Sequence, residues 1–157
     1  MIYFARPQYY YTDDGSINSK TYSKNYVQVT DNRGVSTGWK LSVKQLKQFE
    51  SSSHHLLVGA QIGFTRSKAS SNLFDNEARP TVYDATLVPG ESVVMMQAFK
   101  EQGNGTWVNG WGKVESLTVD NKVMPKNTGV LLNVPGKTKK EASTYATTFM
   151  WTLTDSP

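Results

Sequence analysis

Apolar and polar residues alternate over short stretches of this chain, and turn-forming residues separate those stretches at close intervals. Side chains on a strand repeat every two residues, so this pattern selects half-buried strands over helices. It predicts strands near Tyr9–Thr12, Tyr26–Asp31, Thr37–Lys44, Leu56–Thr65, Thr81–Leu87, Ser92–Lys100, Val114–Val119, Gly129–Val134 and Thr144–Thr154. Turn signals fall between them at Asp14-Gly15, Asn32-Arg33-Gly34, Asn76 to Pro80, Pro89-Gly90, Asn104-Gly105, Asn109-Gly110, Asp120-Asn121 and Pro135-Gly136. Many short strands at this spacing imply an all-β, antiparallel sandwich of Greek-key or Ig-like type. Helical spacing occurs at Val43, Leu46 and Phe49, which allows at most one or two short helical turns there.

The alternation is sharpest around two triplets of the same form, Trp39-Lys40-Leu41 and Trp151-Thr152-Leu153. On a strand the Trp and Leu of each triplet share one face, and Lys40 or Thr152 points away. Two distant strands therefore carry matched apolar surfaces. Those surfaces either fill a core, the usual fate of tryptophan, or grip a partner.

The chain has 157 residues, enough for one domain over 1–157 with a sizeable core. It carries a net charge of +4 with its lysines spread along the sequence. That favours weak, screened adhesion to anionic surfaces and is no nucleic-acid signature. With no cysteine, disulfides, thiolate metal sites and a cysteine nucleophile are excluded. No apolar run is long enough to span a bilayer, and the start, Met1 to Pro7, lacks a signal pattern. An exported protein would therefore have had its signal removed.

Catalytic and metal-binding patterns are weak. His54 and His55 are adjacent, so on a strand they face opposite ways, and no HExxH pattern accompanies them. They read as loop residues. The carboxylates Asp13, Asp14, Asp75, Glu77, Asp84, Glu91 and Glu101 fall mostly in turns or at strand ends, and Gly90-Glu91-Ser92-Val93 lacks the last glycine of a nucleophile elbow. No enzyme activity, cofactor or metal is expected. Residues 102–112 hold four glycines with Trp107 and Trp111. No helix follows them, which argues against a phosphate loop. They read as a tight hairpin with Trp107 over one end of the core, or as a glycan-binding surface on which an indole stacks against a sugar. Tyr9-Tyr10-Tyr11 would divide between two faces of an early strand. Lys137, Lys139 and Lys140 form a small basic loop, solvated by default and otherwise suited to an anionic polymer.

Tyr26 to Leu41 is the most informative stretch, a strand, a turn and a second strand. Asp31 can accept backbone N–H groups across the turn, and Gly34 can take a positive φ. Arg33 can offer a forked donor to a carboxylate or a C-terminal acid, or simply lie in solvent. Gly38 lets a neighbouring chain approach the backbone beside Trp39. Together with the terminal Trp151-Thr152-Leu153-Thr154-Asp155-Ser156-Pro157, this stretch resembles the WxL domain of Gram-positive bacterial surface proteins. Leu57 to Ile62, Gly103 to Trp107 and Val130 to Pro135 ahead of Tyr145 are also similar. The resemblance covers about residues 20–157, and residues 1–25 form a divergent lead-in, rich in Tyr, Ser and Asn.

The resemblance implies retention rather than catalysis: a module that holds an exported protein non-covalently at the cell wall. Its implied partners are peptidoglycan and/or a membrane-anchored interacting surface protein. The implied location is extracellular and wall-associated, with no nucleic acid partner and no transmembrane segment. Carried over by position, the motif residues are Trp39, Leu41, Trp151 and Leu153, with Asp31 and Arg33 on the approach to the first. The alternative is a lectin-like module recognising host or plant polysaccharide through the Trp107/Trp111 loop.

Overall fold

A computed structural model describes residues 1–11, 17–72 and 78–157. Its strands are β1 (Ile2–Ala5), β2 (Gln8–Tyr11), β3 (Ile17–Ser23), β4 (Tyr26–Asp31), β5 (Trp39–Gln45), β6 (Glu50–Ser51), β7 (Gln61–Phe64) and β8 (Ser67–Ser70). There follow β9 (Thr81–Val82), β10 (Ala85–Thr86), β11 (Ser92–Ala98), β12 (Gly105–Trp111), β13 (Val114–Val119), β14 (Lys122–Asn133), β15 (Tyr145–Ala146) and β16 (Phe149–Thr154). All pairings are antiparallel, and no helix occurs among the described residues. Expectations on Thr12 to Gly15 and on Asp75, Asn76 and Glu77 fall outside the described residues, as does the facing of the Tyr9, Tyr10 and Tyr11 side chains.

The architecture is an all-β sandwich in which one sheet faces two. The sheet β16-β5-β11-β9 packs through Trp39, Leu41, Met96 and Ala98 onto Val29, Ala69 and Trp107 of the sheet β4-β12-β8. Further along the same strands, Val43 and Met95 pack onto Phe64, Ala85, Trp111 and Val130, most of them from the sheet β1-β14-β7-β10. Strand β5 supplies both cores because Trp39, Leu41, Val43 and Gln45 all point inward. Its neighbour β11 does so with a β-bulge. The register passes from Val94↔Ser42 to Met96↔Leu41, so Met95 is an extra residue. Consecutive methionines thereby both reach the interior, one in each core. A third cluster of Leu57, Ala60 and Val134 closes the end near β6 and β15.

Several expectations need correction. Val43 to Phe49 is not helical: β5 runs to Gln45, and Leu46 N donates to Thr148 O across the sheet. Gln45 Nε2 binds Lys47 O at 3.0 Å, and Gln48 Oε1 accepts Phe49 N at 2.8 Å, so side chains take the local backbone groups that a helical turn would pair. Leu56 to Thr65 is strand only over Gln61–Phe64; Leu56 makes an isolated bridge to Glu50. The glycine-rich 102–112 stretch is no tight hairpin, since Gly105–Trp111 is the central strand between β4 and β8. Thr81 to Leu87 breaks into β9 and β10. The turn at Asp120-Asn121 stands as expected. Both residues take positive φ, 50° and 62°, the geometry of the two-residue turn that joins β13 to β14.

Gly38 has φ +88° and sits so close to β11 that an added Cβ would lie 2.3 Å from Ala98 O. Gly34, at φ +75°, has open space around it. Gly34→Ala should cost about 1 kcal/mol, the left-handed penalty alone. Gly38→Ala should cost more than about 3 kcal/mol, because strand backbone must also move. Urea unfolding of the two variants measures the difference, and equal midpoints would contradict the packing.

Candidate functional site

The two Trp-x-Leu triplets lie side by side. Strands β5 and β16 pair without a register shift from Phe149↔Gln45 to Thr154↔Lys40, which sets Leu153 opposite Leu41 and Trp151 opposite Val43. Directly opposed residues share a face, so all four point toward the interior side of the sheet. Antiparallel pairing that matches Leu to Leu sends the two indoles to opposite ends of the contact. The triplets are therefore neighbours without being equivalent.

Their burial differs because β5 is central and β16 is an edge. Trp39 is 2% exposed, packed with Val29, Met96, Ala98 and Trp107. Its indole N–H donates to Gly103 O at 3.1 Å. Gly103 permits this close approach, since a Cβ there would lie 2.5 Å from the indole nitrogen. Trp151 and Leu153, by contrast, are 40% and 54% exposed and form an apolar ledge along the sheet edge, with Met150 exposed on the opposite face.

The end of β4 completes the site. Asp31 Oδ1 accepts Arg33 N at 3.2 Å, the expected turn closure. The Arg33 guanidinium then grips the same carboxylate in a fork, with Nε to Oδ1 and Nη2 to Oδ2 both 2.8 Å. Nη2 also donates to Gly38 O at 2.9 Å, and Nη1 makes a long 3.5 Å contact to Asp155 O. Arg33 thus links the end of β4, the approach to Trp39 and the tail after β16. Between these parts lies a cleft of about 220 Å³ lined by Val29, Asp31, Arg33, Trp39, Leu153 and Asp155, among others. The hydrogen bonds from Arg33 hold the Asp31 carboxyl below its ordinary value, against the opposing effect of burial. Asp31 in turn raises Arg33. The result is an already paired, charged wall at neutral pH beside an apolar ledge, suited to binding and positioning.

Four of the predicted residues, Asp31, Arg33, Trp39 and Leu153, line this cleft. Leu41 is buried beside Leu153, and Trp151 stands further along the ledge. Trp107 and Trp111 do not join them. At 1% and 3% exposed, they point into the two cores. Trp107 Nε1 donates to Asn104 O at 2.9 Å. Neither ring has a free face on which a sugar could stack, which corrects the glycan-surface expectation for this segment. The cause is the central position of β12, where alternate side chains face the core. Sequence reasoning passed over Val29 as a lining residue, although its two-residue spacing from Asp31 puts both on one face of β4.

His54 and His55 follow β6, with His54 Nδ1 2.7 Å from Glu50 Oε1 and His55 Nδ1 3.0 Å from Tyr145 Oη. No group of three or more His, Asp or Glu among the described residues is placed to hold a metal ion. Asp84 caps a turn by accepting Ser67 N at 2.9 Å, which lowers its pKa. Lys137 and Lys139 border a separate cleft with Leu56, Val58 and Pro135.

The Asp31–Arg33 pair has a pH signature. Because the folded state lowers the Asp31 pKa below 3.8, its stabilisation is complete above that unfolded value and is lost as pH falls through the folded pKa. The stability difference between the wild type and Asp31→Asn should therefore be largest at neutral pH and shrink below about pH 4. Urea midpoints across pH 2 to 7 check this. A difference that stays constant through the acid range would refute the pairing.

Among the described residues no helix is long and apolar enough to cross a membrane. Comparison with curated proteins and with solved structures returned no match. A family model described as WxL domain surface cell wall-binding matches residues 1–157, including the lead-in that the motif resemblance had left aside. The chain therefore belongs to the WxL domain family of surface cell wall-binding domains.

Proposed function

We propose that this chain is a non-catalytic retention module, one domain over residues 1–157, with residues 1–25 as its lead-in. It attaches an exported Gram-positive protein non-covalently to the cell wall, outside the cell, by binding peptidoglycan, a membrane-anchored partner protein or both. The observation that carries this reading is the pairing of the two Trp-x-Leu triplets on neighbouring strands, with one indole buried and the other exposed. The roles divide accordingly. Trp39 and Leu41 build the platform, Trp151 and Leu153 present it, and the Arg33–Asp31 fork fixes the cleft wall. A partly exposed indole backed by rigid packing offers large contact area at low entropic cost, as in binding hot spots.

Purified sacculi and a candidate partner ectodomain provide the test in pull-down. Replacing Trp151 and Leu153 together by alanine should weaken retention at least about tenfold, at a stability cost of only about 1–2 kcal/mol because both side chains are largely exposed. Trp39→Ala should instead cost about 3–5 kcal/mol and lose retention through unfolding. Wild-type retention by the double variant, with an unchanged near-UV circular dichroism spectrum, would overturn the assignment. So would failure of the folded wild type to bind either material.

A further inference from the structure

We propose that the free edge of β16 accepts an extended strand from a protein partner in which apolar side chains alternate with acidic ones, adding a fifth strand to the β16-β5-β11-β9 sheet. This rests on the retention reading for the location of the contact and specifies what is held there: a polypeptide, gripped by its backbone.

The first support is the character of the edge. β16 pairs with β5 on one side and, among the described residues, with no strand on the other. Alternate N–H and C=O groups of an edge strand point outward and can pair with another chain, so exposed edges ordinarily carry a charge, a proline, a bulge or a short length that prevents it. Phe149–Thr154 contains no charged residue and no proline, and it runs for six residues with no register shift against β5. The opposite edge of the same sheet, β9, has only two residues. An unprotected edge is the geometry used in recognition by strand addition.

The side chains specify the added strand. On the interior side, Trp151 and Leu153 are exposed next to buried Val43 and Leu41, so the apolar row is open just where a further strand would lie. Apolar residues at alternate positions of that strand would cover them. On the outer side, Lys44 and Lys40 of β5 flank the row, opposite Met150 and Thr154. Neither lysine forms an ion pair among the described residues. Acidic residues at the remaining positions of the added strand would meet these two cations. A second copy of this chain would bring its own Lys40 and Lys44 toward the same seam, so charge favours an acidic partner over self-pairing.

The test uses the full isotope-labelled chain and a capped nine-residue peptide that alternates valine with glutamate and threonine. A matched peptide is N-methylated at its interior amides, which removes the backbone donors and leaves the side chains. The first peptide should shift the β16 amide signals in NMR titration and slow their hydrogen exchange. The N-methylated peptide should bind at least about tenfold more weakly, and Lys40→Gln with Lys44→Gln should weaken binding of the first peptide and flatten its salt dependence. Equal affinity for both peptides, no binding of the first at millimolar concentration, or dimerisation of the chain through β16 without peptide would each overturn the proposal. Sacculus retention in the same preparation separates the two readings. Retention without peptide binding removes strand addition alone, and peptide binding without retention by either wall material supports strand addition and removes the retention reading.

Discussion

The Trp39 indole sits in a slot that leaves almost no room for change, and the position of the neighbouring parts follows from it. Backbone closes the slot on two sides. Gly38 lies against Ala98 O, and Gly103 receives the indole N–H. A side chain at either glycine would displace the ring or the strand beside it. With the ring fixed, β5 carries Leu41, Val43 and Gln45 inward in sequence, and β16 follows in register along its other side. Trp151 and Leu153 stay exposed because β16 is the edge of that sheet. A rigid, fully packed strand holds an edge strand whose apolar face has nothing over it.

Polar chemistry secures the same corner. A carboxylate as covered as Asp31 is stable as an ion only when its oxygens are matched, and Arg33 matches both. The guanidinium then spends a further donor on Gly38 O, so the ion pair and the indole slot share one short segment of chain. This links the residues between β4 and β5 to the terminal tail and explains why Asp31, Arg33, Gly34, Gly38, Trp39 and Leu41 occur so close together. They lie on one turn and the ends of the two strands it joins, which must fit both a buried ring and a cleft wall.

Much of this was legible in the sequence. Strict alternation marked β4 and β5, and the positive φ at Gly34 and the close approach at Gly38 followed from the turn chemistry; guanidinium geometry allowed the Arg33 fork onto a carboxylate without choosing it over solvent. What sequence could not supply was strand order. Nothing local distinguishes a central strand from an edge, so two triplets of the same form gave no sign that one is core and the other surface. The same gap left Trp107 and Trp111 undecided between core and a sugar-binding surface. Their glycine-rich setting fitted either a tight hairpin with Trp107 over one end of the core or a glycan surface, whereas pairing on both sides by β4 and β8 makes β12 a central strand. Val43 to Phe49 was misread because three apolar residues at helical spacing also fit a strand followed by an irregular turn, and tertiary pairing with β16 decided between them.

The paired triplets place one indole inside the molecule and one outside. Hydrogen exchange of the four indole N–H groups, followed by NMR and assigned with single Trp→Phe variants, tests it in one measurement. Trp39, bonded to Gly103 O, Trp107, bonded to Asn104 O, and the buried Trp111 should exchange slowly, and Trp151 alone should exchange fast. Fast exchange at Trp39, or protection of Trp151 equal to that of Trp39 in the isolated chain, would contradict it.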